Sequence, residues 1–273
     1  MPAAPSAPTP SGPATPSTGS LPKVIRGPSA KTILKLDWQY PVYKAPEVEQ
    51  KGPTVAAKVR RALSREEAVA YIAGKDPRPL LVLRECKTCN GTDDALLSRG
   101  NVDNERTFLL SRWFHCVKLP VDVMQKDHPF HNLFDDKDPE HMFFGTADGS
   151  MHLPLESERS RIELWDTMMA VLKATYAKDP ESVVKSMVKT IDAFDDADRR
   201  ITSMEDRIDE ILEHEGPDSK KLKKAQDELA EAKKQRDGLY TAIDKATAEL
   251  RLKSAKEAKA EADAKAPAQP KGA

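Results

Sequence analysis

The chain has 273 residues, 39% of them hydrophobic and 32% charged, with a formal net charge of −1 at pH 7. That length allows one or two domains, and a charge content above the ~25% of an ordinary globular domain leaves room for long solvated helices. The near-neutral balance argues against a nucleic-acid partner, which needs a Lys/Arg surplus to meet phosphates. No apolar run approaches the ~18 residues of a membrane span and no signal peptide opens the chain, so the expected protein is soluble, cytoplasmic and without a membrane partner.

Residues 1–30 consist largely of Pro, Ala, Ser, Thr and Gly. They offer too little apolar surface to offset chain entropy, so a disordered leader with polyproline character is expected. Residues 31–63 read as an extended linker. Within it, Ile33, Leu34, Leu36, Trp38, Tyr40 and Tyr43 suit a segment that docks on the domain that follows.

Ser64-Arg65-Glu66-Glu67 is a capping box that opens a helix ending near Gly74. Pro79 to Leu83 reads as a short buried strand, Asn104 to Trp113 as a helix, and Phe114 to Val123 as a second strand. Met142–Phe144 and Met151–Leu155 form a hairpin pair around Asp148-Gly149, a dipeptide suited to positive φ. A second capping box at Ser160 starts a helix whose stripe is Ile162, Trp165, Met169, Leu172 and Tyr176. Residues 64–178 are therefore read as one α/β domain in the order α-β-α-β-β-β-α.

Asp179-Pro180 restarts a helix, with Asp as N-cap and Pro in the first turn. Ile201, Met204, Ile208 and Ile211 are its apolar positions, and Gly216-Pro217 breaks it. The next helix carries Leu222, Ala225, Leu229, Ala232, Arg236, Leu239, Ile243, Ala246 and Leu250 at alternating spacings of three and four. That pattern predicts an antiparallel coiled-coil hairpin over 179–253, a possible route to homo-oligomers through a four-helix bundle. Residues 254–273 read as a disordered tail.

The chemistry-bearing motif is Cys86-Lys87-Thr88-Cys89, directly after the first strand. With a capped helix before "RPLLVLRECKTC", the strand "FHCVKLPVDV" after it, and Pro139 ahead of the hairpin "EHMFFGTADGSMHLPLE", residues 64–177 resemble the thioredoxin-like family. The resemblance implies a thioredoxin-like sheet flanked by helices and thiol–disulfide exchange on protein substrates. Cys86 would be the attacking thiol and Cys89 the resolving one. A cis Pro139, with its neighbour Asp138, would position the substrate backbone beside the pair. A thiolate is the nucleophile in such exchange, and Lys87 would favour it. No cofactor is implied.

Two other readings stand beside this one. A non-catalytic scaffold would bind partners through the helical hairpin. A metal site would join Cys86 and Cys89 to two of His115, His128, His131, His141 and His152, since zinc takes about four such ligands. Cys116 is read as a buried small hydrophobe. Asp195, Asp196 and Asp198 are read as a solvated acidic face, and Lys220, Lys221, Lys223 and Lys224 as a charged helix flank.

Overall fold

The structure is a computed structural model that describes residues 25–44, 61–86, 97, 104–135, 137–155, 160–254, 256–257 and 260. The Cys89 end of the motif, residues 1–24 of the expected leader and most of the expected tail lie outside the described residues.

The elements follow the expected order. Helix α1 spans Pro28–Ile33 and α2 Arg65–Ala73; strand β1 (Leu80–Arg84), helix α3 (Glu105–Ser111) and strand β2 (His115–Leu119) come next. Strands β3 (Met142–Gly145) and β4 (His152–Leu155) precede α4 (Arg161–Thr175), α5 (Pro180–Glu215) and α6 (Lys220–Ala248). Both capping boxes close as the sequence implies: the Ser64 side chain accepts from the Glu67 N–H and the Ser160 side chain from the Glu163 N–H. The Asp179 side chain accepts from the Glu181 N–H, with Pro180 at the first helical position. Gly149 takes φ of 73° in the β3–β4 turn, a conformation that costs residues with a Cβ.

The sheet order is β2-β1-β3-β4, with β1 parallel to β2 and antiparallel to β3. Side chains alternate between its faces. Leu81, Leu83, Cys116, Met142 and Phe144 join a core with α1, α3, α4 and the start of α5. Leu80, Val82, Val117, Leu119 and Phe143 face α2 together with Phe130 and Leu133. Buried on both sides, β1 is the central strand and reads as a continuous apolar run for that reason.

Four expectations need correction. The second strand ends at Leu119, because Pro120 lacks the N–H a ladder needs and the chain turns into a 3-10 helix over Val121–Met124. The stripe of α4 holds at Met169, Leu172 and Tyr176, which are buried as expected, but fails at its start: Ile162 is exposed, Trp165 is half-buried, and Leu164, Met168 and Val171 complete the buried face. The leader does not extend to residue 30, since α1 begins at Pro28 and buries Ser29 and Ala30. Finally, the linker is helical at its start. Among its described residues only Gln39 pairs as a strand, bridging Val117 in parallel.

Helices α5 and α6 lie side by side and run in opposite directions. Glu205 meets Lys233 at 2.9 Å, Arg207 meets Glu228 at 3.5 Å, and the Phe194 and Tyr240 rings stack with centroids 4.6 Å apart. The expected stripe of α6 is its inward face, with Leu222, Ala225, Ala232, Ile243 and Leu250 buried. The base of the pair belongs to the domain core, where Val183, Val184, Met187, Ile191, Phe194 and Ile243 join the sheet's larger cluster. The far end has its own cluster of Ile211, Leu222 and Ala225. At 1.5 Å per residue the 36 residues of α5 span about 54 Å. After α6 the chain returns to the domain: Tyr176 bridges Leu252, and the Lys253 N–H donates to the Thr175 carbonyl at 2.9 Å. Among the described residues no helix is long and apolar enough to cross a membrane.

Candidate functional site

The carboxyl ends of the parallel strands β1 and β2 lie on one side of the sheet, the side where α/β folds commonly place their chemistry. Cys86 is there, two residues beyond β1. The backbone between is tied to both neighbours. The Arg84 N–H donates to the His141 carbonyl at 2.7 Å and the Glu85 N–H to the Leu119 carbonyl at 2.9 Å. The β1–β3 register sets Leu80 opposite Gly145 and Leu83 opposite Met142.

Cys86 is half-buried and disulfide-bonded. Cys116 is free. The chain's remaining cysteine, Cys89, lies outside the described residues. Cys116 behaves as the small hydrophobe expected of it. Burial pushes its thiol up to about 12, and its Sγ approaches the carbonyls of Ser111 and Phe114 at 3.8 and 3.9 Å. A thiol so reluctant to ionise is inert as a nucleophile.

Pro139 is half-buried and Asp138 exposed. The expectation of a cis Pro139 is corrected, since no peptide bond among the described residues is cis. The segment is instead held by a side chain that sequence reasoning missed. Arg84, only 8% exposed, donates from Nη2 to the Pro139 carbonyl at 2.9 Å and from Nε to the Glu140 carbonyl at 3.2 Å. Its guanidinium also lies 5.8 Å from the centroid of the Phe134 ring, a cation–π distance. A charged residue closing an otherwise apolar strand two residues before a cysteine was the available signal.

Charges around Cys86 are arranged in pairs. Glu85 meets Lys118 at 3.2 Å. Glu140 is hydrogen-bonded to His152 Nε2 at 2.7 Å. Burial works against the Glu140 carboxylate, but the hydrogen bond and charge of His152 together with backbone N–H groups outweigh it and hold its pKa below the usual range. Beside the cysteine a shallow groove is lined by Glu85, Pro120, Val121, Asp122, Met124 and Gln125.

The histidines do not gather. His115 bonds through Nδ1 to Asp76 and through Nε2 to the Ile72 carbonyl, both at 3.0 Å, at the opposite end of the sheet. His128 Nδ1 accepts from the Phe130 N–H at 3.2 Å, and His152 is engaged by Glu140. Among the described residues no group of three or more His, Cys, Asp or Glu side chains could hold a metal ion.

The acidic face of α5 also needs correction, because Asp195 and Asp198 grip the N-terminal segment. Arg26 bonds Glu105 of α3 at 2.6 and 2.8 Å, and Asp192 and Asp195 at 2.7 Å each. Glu105, then Asp195 and Asp192, raise its pKa far above the ordinary value. The Gly27 N–H donates to Asp195, and Ser29 donates through both N–H and hydroxyl to Asp198. A Cβ on Gly27 would lie 2.5 Å from an Asp198 oxygen, so a side chain there would push that carboxylate off the Ser29 N–H. Asp192, Asp195 and Asp198, three residues apart on one helix face, were the readable sign of a basic ligand.

Comparison of the chain with family models, with characterised proteins and with solved structures finds no match.

Proposed function

We propose that the protein is a thioredoxin-like thiol–disulfide oxidoreductase acting on protein disulfides through Cys86 and Cys89, with the helix pair as a coiled-coil docking arm, in a cytoplasmic setting. The observation that carries this reading is the disulfide-bonded Cys86, two residues beyond the central strand. The strand order with β1 parallel to β2 and antiparallel to β3 supports it, as does the parallel bridge from Gln39 to Val117. In the reductive direction the Cys86 thiolate attacks one sulfur of a substrate disulfide. The substrate S–S bond breaks, and its departing thiolate takes up a proton. Cys89, deprotonated, then attacks Cys86 in the mixed disulfide and releases the second substrate thiol. The substrate gains two electrons, the pair loses two, and an external dithiol restores it.

Insulin reduction with dithiothreitol as reductant tests the reading. The wild-type chain is expected to accelerate turnover, and Cys86→Ser and Cys89→Ser to abolish the acceleration. Equal, negligible rates in all three would leave the second reading, a non-catalytic platform. That reading is favoured by the far end of α5 and α6, which among the described residues packs on itself through Ile211, Leu222 and Ala225.

A further inference from the structure

At the end of the sheet away from Cys86, a cavity of about 370 Å³ opens where five parts of the chain meet: the segment after α1, the loop before β1, the end of α3, the start of β2 and the end of α6. We propose that it binds a small phosphate-bearing molecule, held by Arg112 and Lys35. This site is independent of the oxidoreductase reading, because the cysteine in its wall, Cys116, is the inert one.

The cavity keeps a cation short of counter-charge. Arg112, which closes α3, has a side chain only 20% exposed. Its Nε donates to Thr247 Oγ1 at 3.2 Å. The one carboxylate within ion-pair range of it among the described residues is Asp244, 3.7 Å from Nη2 and itself 80% exposed, so water screens most of that attraction. Burial outweighs the pull of Asp244 and Asp37 and lowers the Arg112 pKa, as it does for a cation left without a close partner. The inner acid, Asp76, does not fill the gap. Arg78 holds it at 2.6 Å and His115 meets it at 3.0 Å. Arg78 Nη1 also donates to the Arg112 carbonyl at 3.0 Å and so fixes that wall. Lys35 approaches from the segment after α1. Its pairing with Asp37 at 3.3 Å is exposed on both sides, and such a pair opens at little cost.

A planar fork on one element and a mobile ammonium on another suit an anion with several oxygens and more than one charge. A phosphate monoester, with about −2 at neutral pH, meets both conditions. The volume lies toward the small end of ligand cavities and admits the phosphate with a short organic body against Phe114.

Amide NMR of the isotope-labelled full chain, titrated with inorganic phosphate, with acetate and with sodium chloride at matched ionic strength, tests the assignment. Phosphate is expected to give saturable shifts at 35–39, 111–116 and 247 that acetate and chloride do not. Arg112→Met is expected to weaken phosphate binding at least about tenfold, through loss of a charge-assisted contact. Lys35→Met is expected to weaken it about threefold, and Lys189→Met, exposed on α5, to leave it unchanged. Absence of saturable shifts, or shifts confined to residues away from the cavity, overturns the proposal. So do equal shifts with acetate, which would make the ligand a plain carboxylate, and Lys189→Met as damaging as Arg112→Met. A folded Arg112→Met that binds as tightly as wild type overturns it too. Should that variant not fold, Lys35→Met with wild-type affinity does so instead. Insulin turnover, present or absent, bears on the cysteine pair alone.

Discussion

At their base, α5 and α6 bury Val183, Val184, Met187, Ile191, Phe194 and Ile243 in the core that also holds Leu81, Phe108 and Phe144 of the α/β layer. At their far end, Ile211, Leu222 and Ala225 form a cluster of their own, with Ile208 alongside. Both ends use one helical periodicity and similar residue types. They differ in what else touches the helices. At the base there are hydrogen bonds from outside the pair: Trp113 Nε1 donates to the Thr247 carbonyl at 3.0 Å and Arg112 Nε to Thr247 Oγ1 at 3.2 Å. The lesson is that the composition change near residue 179 marks a change in solvent exposure and not a packing boundary. A helix can leave a domain gradually, and only its outer turns are independent.

Phe194→Ala should break the comparison most severely if the base is as integral as it looks. Phe194 is fully buried, and loss of such a ring costs about 3–5 kcal/mol. Urea unfolding should show the whole protein destabilised in a single transition. Loss of helical signal alone, with the fluorescence of Trp113 and Trp165 beside the sheet unmoved, would divide the molecule where the composition does. Arg26→Met comes next. It leaves Glu105, Asp192 and Asp195 facing one another without their cation, and a cost of about 1–2 kcal/mol is expected for a part-buried cluster in which Asp192 stays exposed to solvent. A midpoint indistinguishable from wild type in the same titration would reduce the N-terminal segment to a passive covering.

Ile211→Ala sharpens the comparison from the other end. Removing this side chain, 8% exposed, should cost about 1–2 kcal/mol, felt locally. Amide exchange should speed up around 205–228 while the global urea midpoint stays in place, since far-end opening is a sub-global event. The smallest effect concerns acid. Burial pushes the Asp76 carboxyl up, but hydrogen bonds from Arg78 outweigh it and hold the group at about 2, below its ordinary 3.8. A carboxylate depressed in the folded state stabilises it above the unfolded value, and that stability fades as pH falls from about 4 through 2. With solvent screening of a partly exposed pair, about 1 kcal/mol is expected. Asp76→Asn should flatten the stability profile across that window. An unchanged slope would move the acid sensitivity elsewhere.

The order of elements was legible because it rests on local rules. Ser64 and Ser160 announce their helices through reciprocal hydrogen bonds spanning three residues, and Gly149 marks its turn through backbone conformation alone. The inward face of α6 was legible for a similar reason, a spacing that no other element imitates. What stayed hidden depends on partners distant in sequence. Asp195 and Asp198 look like any solvated acidic surface until Arg26 and Ser29 arrive from 169 residues away. Ile162 sits at a plausible stripe position, yet it is 65% exposed because the sheet approaches α4 from the side of Leu164 and Met168. Of the proposed site, the cysteine at a strand end was readable, but not the arginine that holds the Pro139–Glu140 segment. That contact depends on a register between strands separated by more than fifty residues of chain.

The staple between Thr175–Ala177 and Arg251–Lys253 has a consequence for synthesis. Every strand of the sheet has been made once Ala177 is added, but the bridge that ties the end of α4 to the chain after α6 waits until Lys253 is free. At roughly 5–20 residues per second that delay is about 4–15 s. During it the nascent chain holds a sheet whose neighbouring core half is still being translated, with the apolar faces of α3 and α4 open to water and to chaperones.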